Sequence, residues 1–425
     1  MTSALVILLG LLGLCPVMIA MDGPLPPYLV PLLIAAGLIL VSVELAAGEA
    51  QHLSKLVSSP LVLAAAFPPA LMVIQMLPLP FVANPVWMSV SPGFPHGVAG
   101  SISVDIGATA LTLMRYLTAA GMVLLAATVT IKRERAESVL LGTTVAVVAI
   151  SLIGLFHNLF GFGTPAMHEE VVDCACLGVT LSSACALFVY ERYETRRFSS
   201  GRSQEKFVFS LVACLIGFVI CASTIAVTRS GSLIFAAGSG FFIFCAVAAI
   251  RRWALGRLGA AAIGVTAAVV AAALVTVAAS DPDPRFAFVA KDTASFELTQ
   301  RILSDAPFWG DGAGSFSALL PIYQSSNAAP HDTGAVTSAA KISIEMGKAF
   351  LWLSVMAAAF AVFFFLRGAT QRGRDSFFAA AAGGCLFTLM NLAFVNAGLS
   401  GLAIVLLSAT IFGLGLSQSK GRVAS

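Results

Sequence analysis

Twelve stretches of this chain are each about twenty residues long and almost free of charge, at approximately 3–21, 28–47, 60–77, 107–131, 139–159, 171–190, 207–227, 232–250, 258–279, 349–366, 377–396 and 399–416. A helix needs about 20 apolar residues to cross the hydrocarbon core of a bilayer. No water is present there to satisfy a backbone left outside regular structure. Only 11% of the 425 residues are charged and 58% are apolar, too little charge to cover a soluble domain of this size. The expectation is an all-α, polytopic integral membrane protein with about twelve transmembrane helices. The first nine fall in 1–279, a large periplasmic loop with short helices spans 280–348, and the last three with a short tail fill 349–425.

The placement of Lys and Arg sets the orientation. Alternate loops carry Lys55, then Lys132, Arg133 and Arg135, then Arg192, Arg196, Arg197, Arg202 and Lys206. The same side collects Arg251, Arg252, Arg257, Arg367, Arg372, Arg374, Lys420 and Arg422. The opposite short loops at 22–27, 78–106, 160–170 and 397–398 hold no Lys or Arg, and Arg229 is the lone exception on that side. Both termini are therefore expected in the cytoplasm. The first segment has no basic residue before its apolar run, and Leu14 before Cys15 does not suit a lipoprotein cleavage site, so it reads as a retained span. All eight cysteines fall in or beside apolar segments, and Cys174 and Cys176 form an isolated C-x-C, so packing is expected rather than disulfides or zinc.

The loop at 280–348 is long enough to suggest function. It opens on Asp281-Pro282-Asp283-Pro284, a sequence that forbids helix before each proline. An amphipathic helix is expected at about 293–304, with Phe296, Leu298 and Ile302 on one face and Glu297, Gln300 and Arg301 on the other. Pro307 ends it, and the turn Gly310-Asp311-Gly312-Ala313-Gly314-Ser315-Phe316 follows. After Pro330, His331-Asp332-Thr333 leads into a second helix, capped by Asp332 or Thr333, that reaches Met346 before Gly347 and Lys348 open the next span. The 78–106 loop, rich in Pro and Gly with Trp87 and Phe94, has the composition of an interfacial lid.

Four charged or titratable side chains stand out. Arg229, in Thr228-Arg229-Ser230-Gly231, breaks the orientation rule and either snorkels to headgroups or pairs with an anionic ligand. Arg301 sits on the polar side of the loop helix and His331 at the start of the next. Arg115 lies about ten residues into the fourth segment, deep in the membrane, where it needs a cavity or a carboxylate; Asp105 is too many turns away. Lys341 and Glu345 form an i,i+4 pair. Asp281-x-Asp283 is read either as a metal-holding D-x-D or as a proline turn. The glycine triplet lacks Gly-Lys-Ser/Thr and follows a helix, which excludes a nucleotide P-loop. His168-Glu169-Glu170 lacks the second histidine of a zinc protease.

In order and placement, these residues resemble the O-antigen ligase and polysaccharide polymerase superfamily of bacterial envelope enzymes. The features that carry the resemblance are Ser103-Val104-Asp105, the Thr228-Arg229-Ser230-Gly231 turn, the Arg301 helix before Pro307 and the glycine turn, and His331 before a helix reaching Glu345-Met346-Gly347. The match is concentrated in about 205–370. It departs at His331-Asp332-Thr333-Gly334-Ala335-Val336, where the family often carries a large aromatic-leucine pair.

The resemblance implies an inner-membrane glycosyltransferase that moves a glycan from a polyprenyl diphosphate carrier to a hydroxyl acceptor on the periplasmic face, with inversion. Arg229 and Arg301 would hold the diphosphate, and His331 would position or deprotonate the acceptor. Arg115, Gly312, Gly314 and Glu345 would contact substrate. The donor, a polysaccharide or lipid A-core acceptor and the bilayer are the expected partners; no cofactor, metal or nucleic acid is expected. Ligase and polymerase differ only in acceptor, with a slight preference for polymerase from the altered acceptor-side motif. A transporter or flippase and a non-catalytic assembly partner are the alternatives from other classes.

Overall fold

The computed structural model describes residues 2–20, 26–44, 54, 60–90, 100–161, 165–197, 204–252, 293–323, 337–371 and 375–419. The described residues are helical with no strands. Nine of their helices are long and apolar enough to cross a membrane, the pattern of a multi-pass membrane protein. They are α1 (Thr2–Ala20), α5 (Ile106–Val129), α6 (Arg133–Phe160), α7 (Pro165–Arg197), α8 (Gln204–Val227), α9 (Gly231–Arg252), α13 (Lys348–Gln371), α14 (Ser376–Val395) and α15 (Leu402–Ser419). The stretches expected at 28–47 and 60–77 are the apolar helices α2 (Pro26–Glu44) and α3 (Pro60–Met76), with shorter apolar stretches at Tyr28–Glu44 and Ala64–Met76. The stretch expected at 258–279 lies outside the described residues, as do His331 and the Asp281-Pro282-Asp283 turn.

Four short α-helices, α4 (Val86–Val90), α10 (Thr293–Asp305), α11 (Phe316–Tyr323) and α12 (Ser338–Met346), and two 3-10 turns at Pro80–Val82 and Gly398–Ser400 complete the described elements. The amphipathic helix anticipated at 293–304 is α10, within a residue. Helix α11 was not anticipated, because Pro321 inside it reads as a breaker in one dimension. Helix α12 starts at Ser338, and its cap is Thr337, whose side chain accepts from the Ala340 N–H, rather than Asp332 or Thr333. The loop expected at 160–170 is also shorter. Gly161 ends α6 in a left-handed conformation, and α7 begins at Pro165, so Glu169, Glu170 and Asp173 are helical.

Helix α7 is the most buried of the spans, and it packs against α6, α8, α9 and α14. Small residues allow this: Cys174, Ala175, Cys176, Gly178, Ala184 and Cys185 present little bulk to four neighbours. Among the described residues every cysteine is a free thiol, and most are buried. The α9–α14 contact is closer still. A Cβ on Gly240 would lie 2.4 Å from the Gly384 carbonyl oxygen, so the two helices meet backbone to backbone. Large apolar side chains such as Val145, Phe209, Val219 and Phe363 are exposed on the outside, where a bilayer supplies the contacts.

Hydrogen bonds define two chemically different ends. At one, Arg133 pairs with Glu137 at 2.9 Å and Asp375 at 3.2 Å, and Arg192 approaches Glu137 at 3.7 Å. Lys132, Arg135 and Arg251 lie at this same basic end, at the limits of the same helices. At the other end, Asn396 donates to Asp173 Oδ1 at 2.8 Å, and the Ser338 N–H donates to the Asn396 carbonyl. Glu170 Oε1 accepts from the N–H groups of Ala403 and Ile404 at 2.9 and 3.1 Å. A carboxylate at that position satisfies orphan donors at the start of α15 and meets the positive end of its dipole. Glu170→Ala should therefore cost about 1–2 kcal/mol, by loss of a helix cap. Thermal unfolding of the purified variant checks this, and Glu170→Gln should recover only part of the loss.

Candidate functional site

The glycine turn at 310–316 is the centre of a knot that joins four parts of the chain at the polar end. Two backbone bonds tie it to α12: Asp311 N–H to Ile344 O and Gly312 N–H to Glu345 O, both 3.0 Å. A third comes from Val104 N–H to Asp311 O at 2.9 Å. The fully buried Gln75, at the end of α3, reads the turn with its whole amide. Its Nε2 donates to Trp309 O and Glu345 O at 3.0 and 3.1 Å, and its Oε1 accepts from Ala313 N–H at 3.1 Å. Among the described residues no buried side-chain polar atom of this knot lacks a partner, which favours its stability.

Positive φ angles make the turn possible, at Gly310 (74°), Gly312 (108°) and Gly314 (79°). Space is equally restrictive. A Cβ on Gly314 would sit 2.4 Å from Thr112 Oγ1 and 2.8 Å from Ala108 O, and one on Gly312 would strike Ser103. The turn thus lies directly on α5. Asp105 caps that helix by accepting from Ala108 N–H at 2.9 Å. Ser103 Oγ and Thr109 Oγ1 are 2.7 Å apart, and Trp87 Nε1 donates to Ser103 O at 3.0 Å.

Glu345 is buried with its carboxylate turned toward the same turn, where Oε1 accepts from Phe316 N–H at 3.4 Å. Burial pushes its pKa up, while Lys341 and the N–H groups of Gly314 and Phe316 pull against the rise. The structure therefore brings Gly312, Gly314 and Glu345 together. Arg115 belongs to the same neighbourhood: Ala108, Thr112 and Arg115 form one stripe of α5, and Gly314 rests on the first two. Arg115 is exposed and makes no ion pair among the described residues.

Arg301 is exposed on α10. Its neighbour Ile302 is buried against Leu319 and Ile344, which docks α10 beside the turn with Arg301 outward. Arg229 is also exposed, in the tight turn between α8 and α9, and no described contact joins it to the knot. It is the one non-glycine residue with positive φ (52°) among the described residues. That conformation costs an L-residue about 1–2 kcal/mol. Phe308 and Trp309, exposed and edge to face with centroids 5.2 Å apart, and Trp352, also exposed, rim this end as interfacial aromatics do.

Three residues of the knot escaped the sequence reading: Gln75, Asn84 and Asp311. Asp311 is buried, and its Oδ1 accepts from Asn84 Nδ2 at 2.7 Å. Burial raises its pKa from 3.8 to about 6, against the pull of the Asn84 hydrogen bond. Tyr323 stands close enough to Asp305 and Asp311 that both raise its own pKa, after burial. The available signal was an acid set inside a glycine triplet; Gln75 and Asn84 lie more than two hundred residues away in sequence.

The raised pKa has a definite sign. The folded state holds the Asp311 proton more tightly than the unfolded chain, so Asp311 destabilises the fold progressively as pH rises from about 4 to about 6. Thermal unfolding across that window should show this decline, and Asp311→Asn should flatten it.

Among the described residues no group of three or more His, Cys, Asp or Glu is arranged to hold a metal ion. No protein-family model matches the chain, and no curated protein matches its sequence.

Proposed function

We propose that this chain transfers a glycan from a polyprenyl diphosphate carrier to a hydroxyl acceptor at the polar end of its bundle, as a polysaccharide polymerase or ligase. The observation that carries this reading is Arg229: a guanidinium held exposed, in a disfavoured backbone conformation, at the end opposite the basic ring. Strain of this kind persists where surrounding structure enforces it, and such positions concentrate at working sites. By the distribution of Lys and Arg, this end faces the periplasm.

The chemistry suits the groups. Breaking the glycosidic bond at the carrier leaves both electrons on the diphosphate oxygen, so negative charge grows there. Arg229 and Arg301 stabilise it with charge-assisted hydrogen bonds that need no metal. Arg115, one helical turn beneath the knot, extends the positive potential toward the membrane-embedded carrier. On the acceptor side, His331 takes or orients the hydroxyl proton, and Asp311 with Tyr323 offers hydrogen bonds to sugar hydroxyls. Gly312, Gly314 and Glu345 set the shape of the turn against which substrate lies.

The test uses purified full-length protein, a synthetic polyprenyl-diphosphate glycan, an acceptor glycan and a chelator. Product with inverted anomeric configuration is expected, and its loss in Arg229→Ala, Arg301→Ala and His331→Ala. Normal product from all three variants would sink the assignment.

One observation favours a second reading, proton-coupled transport. Asp173 is fully buried within a membrane-spanning helix, and among the described residues its Oδ2 has no hydrogen-bond partner. Intramembrane carboxyls of this kind recur in proton relays. Under that reading Asp173→Asn abolishes pH-driven uptake into proteoliposomes, whereas under glycan transfer it leaves the detergent assay largely intact.

A further inference from the structure

Away from the polar end, a groove of about 670 Å³ opens between α6, α7 and α8. Its walls are largely apolar, with Val145 on α6 and Ala213 and Gly217 on α8 among them. All three helices are long and apolar enough to cross a membrane, so lipid is the medium their apolar faces are suited to.

Its position along the bundle is informative. It runs along α7 from Ser182 to Arg192, a separation of ten residues that spans about 15 Å at the rise of an α-helix. That is about half of a 30 Å hydrocarbon core, the depth of one leaflet. An apolar channel with Arg192 at one end matches the make-up of a phospholipid, whose acyl chains suit the walls and whose phosphate suits the guanidinium.

The mouth has matching charge. Arg192 sits there with its side chain 49% exposed, leaning on the Phe188 ring at 5.8 Å, and among the described residues its one ion-pair contact is a long 3.7 Å approach to Glu137. Most of its donors remain available to an acceptor at headgroup level. Tyr193, stacked on Phe207 with centroids 4.1 Å apart, holds the adjoining wall in place.

We propose that this groove binds the acyl chains of an anionic phospholipid from the leaflet at the basic end, with the lipid phosphate held by Arg192. The site is independent of the glycan-transfer reading and lies toward the opposite face.

The experiment places the full-length protein in liposomes doped with phosphatidylglycerol or phosphatidylcholine carrying a photoactivatable acyl chain, and maps the labelled peptides by mass spectrometry. Phosphatidylglycerol label should concentrate on the segments around 145–152 and 210–217. Ala213→Trp, at an exposed position that tolerates bulk, should remove it, and Val145→Trp on the facing wall should do the same. Arg192→Gln should reduce the preference for phosphatidylglycerol over phosphatidylcholine about fivefold. The proposal fails if the label spreads evenly over other lipid-facing helices such as α13, or survives both blocking variants. It also fails if the headgroup preference ignores Arg192→Gln, or if the chain is a dimer that Ala213→Trp dissociates.

Discussion

Replacing Arg229 with glycine should abolish glycan transfer while leaving the protein as stable as before, or slightly more so. Arg229 carries φ of 52°, a region that costs a residue with a Cβ about 1–2 kcal/mol. Glycine relieves that cost, although its extra freedom in the unfolded chain offsets about 0.4–1 kcal/mol. The net change in stability is zero to about 1.6 kcal/mol in favour of the variant. Activity should move the other way, because loss of one donor to a developing oxyanion typically lowers the rate by about 10²–10³. Arg229→Ala should lose the same activity with no gain in stability, since it keeps the strain. Arg229→Lys should recover only part, for want of the planar fork. Initial rates and unfolding temperatures from the same preparations check all three. A glycine variant that transfers glycan at the normal rate would remove Arg229 from the diphosphate site.

The largest structural effect is expected from Gly310→Ala. A Cβ there would lie 2.3 Å from the Glu345 carbonyl oxygen and 2.6 Å from the Met346 nitrogen, and neither backbone atom can swing aside as a side chain does. The φ of 74° adds its own penalty. Together these should cost about 3 kcal/mol or more. The shift also pulls apart the bonds from Asp311 and Gly312 to α12, and with them the seating of Gln75. Folded yield, unfolding temperature and transfer should all fall, although no charged group has been touched. Gly13→Ala is the control. Nothing lies within 4 Å of a Cβ at that position in α1, so it should be neutral or mildly stabilising. If Gly310→Ala behaves like Gly13→Ala, the knot is not the rigid platform described above.

The spans were legible because lipid imposes a length and a polarity that no local competition overrides. Helix α10 was legible for a related reason: its buried Ile302 and exposed Arg301 alternate with the helical period. Helix α11 was hidden by Pro321, and the true cap of α12, Thr337, by Asp332 and Thr333 upstream. Glu169 and Glu170 fall in the loop expected at 160–170, because charge near a span end reads as exposed, whereas Asp173 falls in the expected span 171–190. In the structure each is drawn inward by a specific donor: Glu170 by the start of α15, Asp173 by Asn396.

Amino-acid order alone therefore determined a helical membrane chain, its two chemically distinct ends, and the isolation of Arg229, since hydrophobic length and charge count are local sums along the chain. Only the tertiary structure decided that the glycine turn is braced by Gln75 and Asn84, that Arg115 lies one turn beneath it, and that Asp311 is buried with a raised pKa. Those facts depend on which distant backbone donors meet which acceptors once the helices pack. Pairings of that kind leave no periodic trace in the sequence.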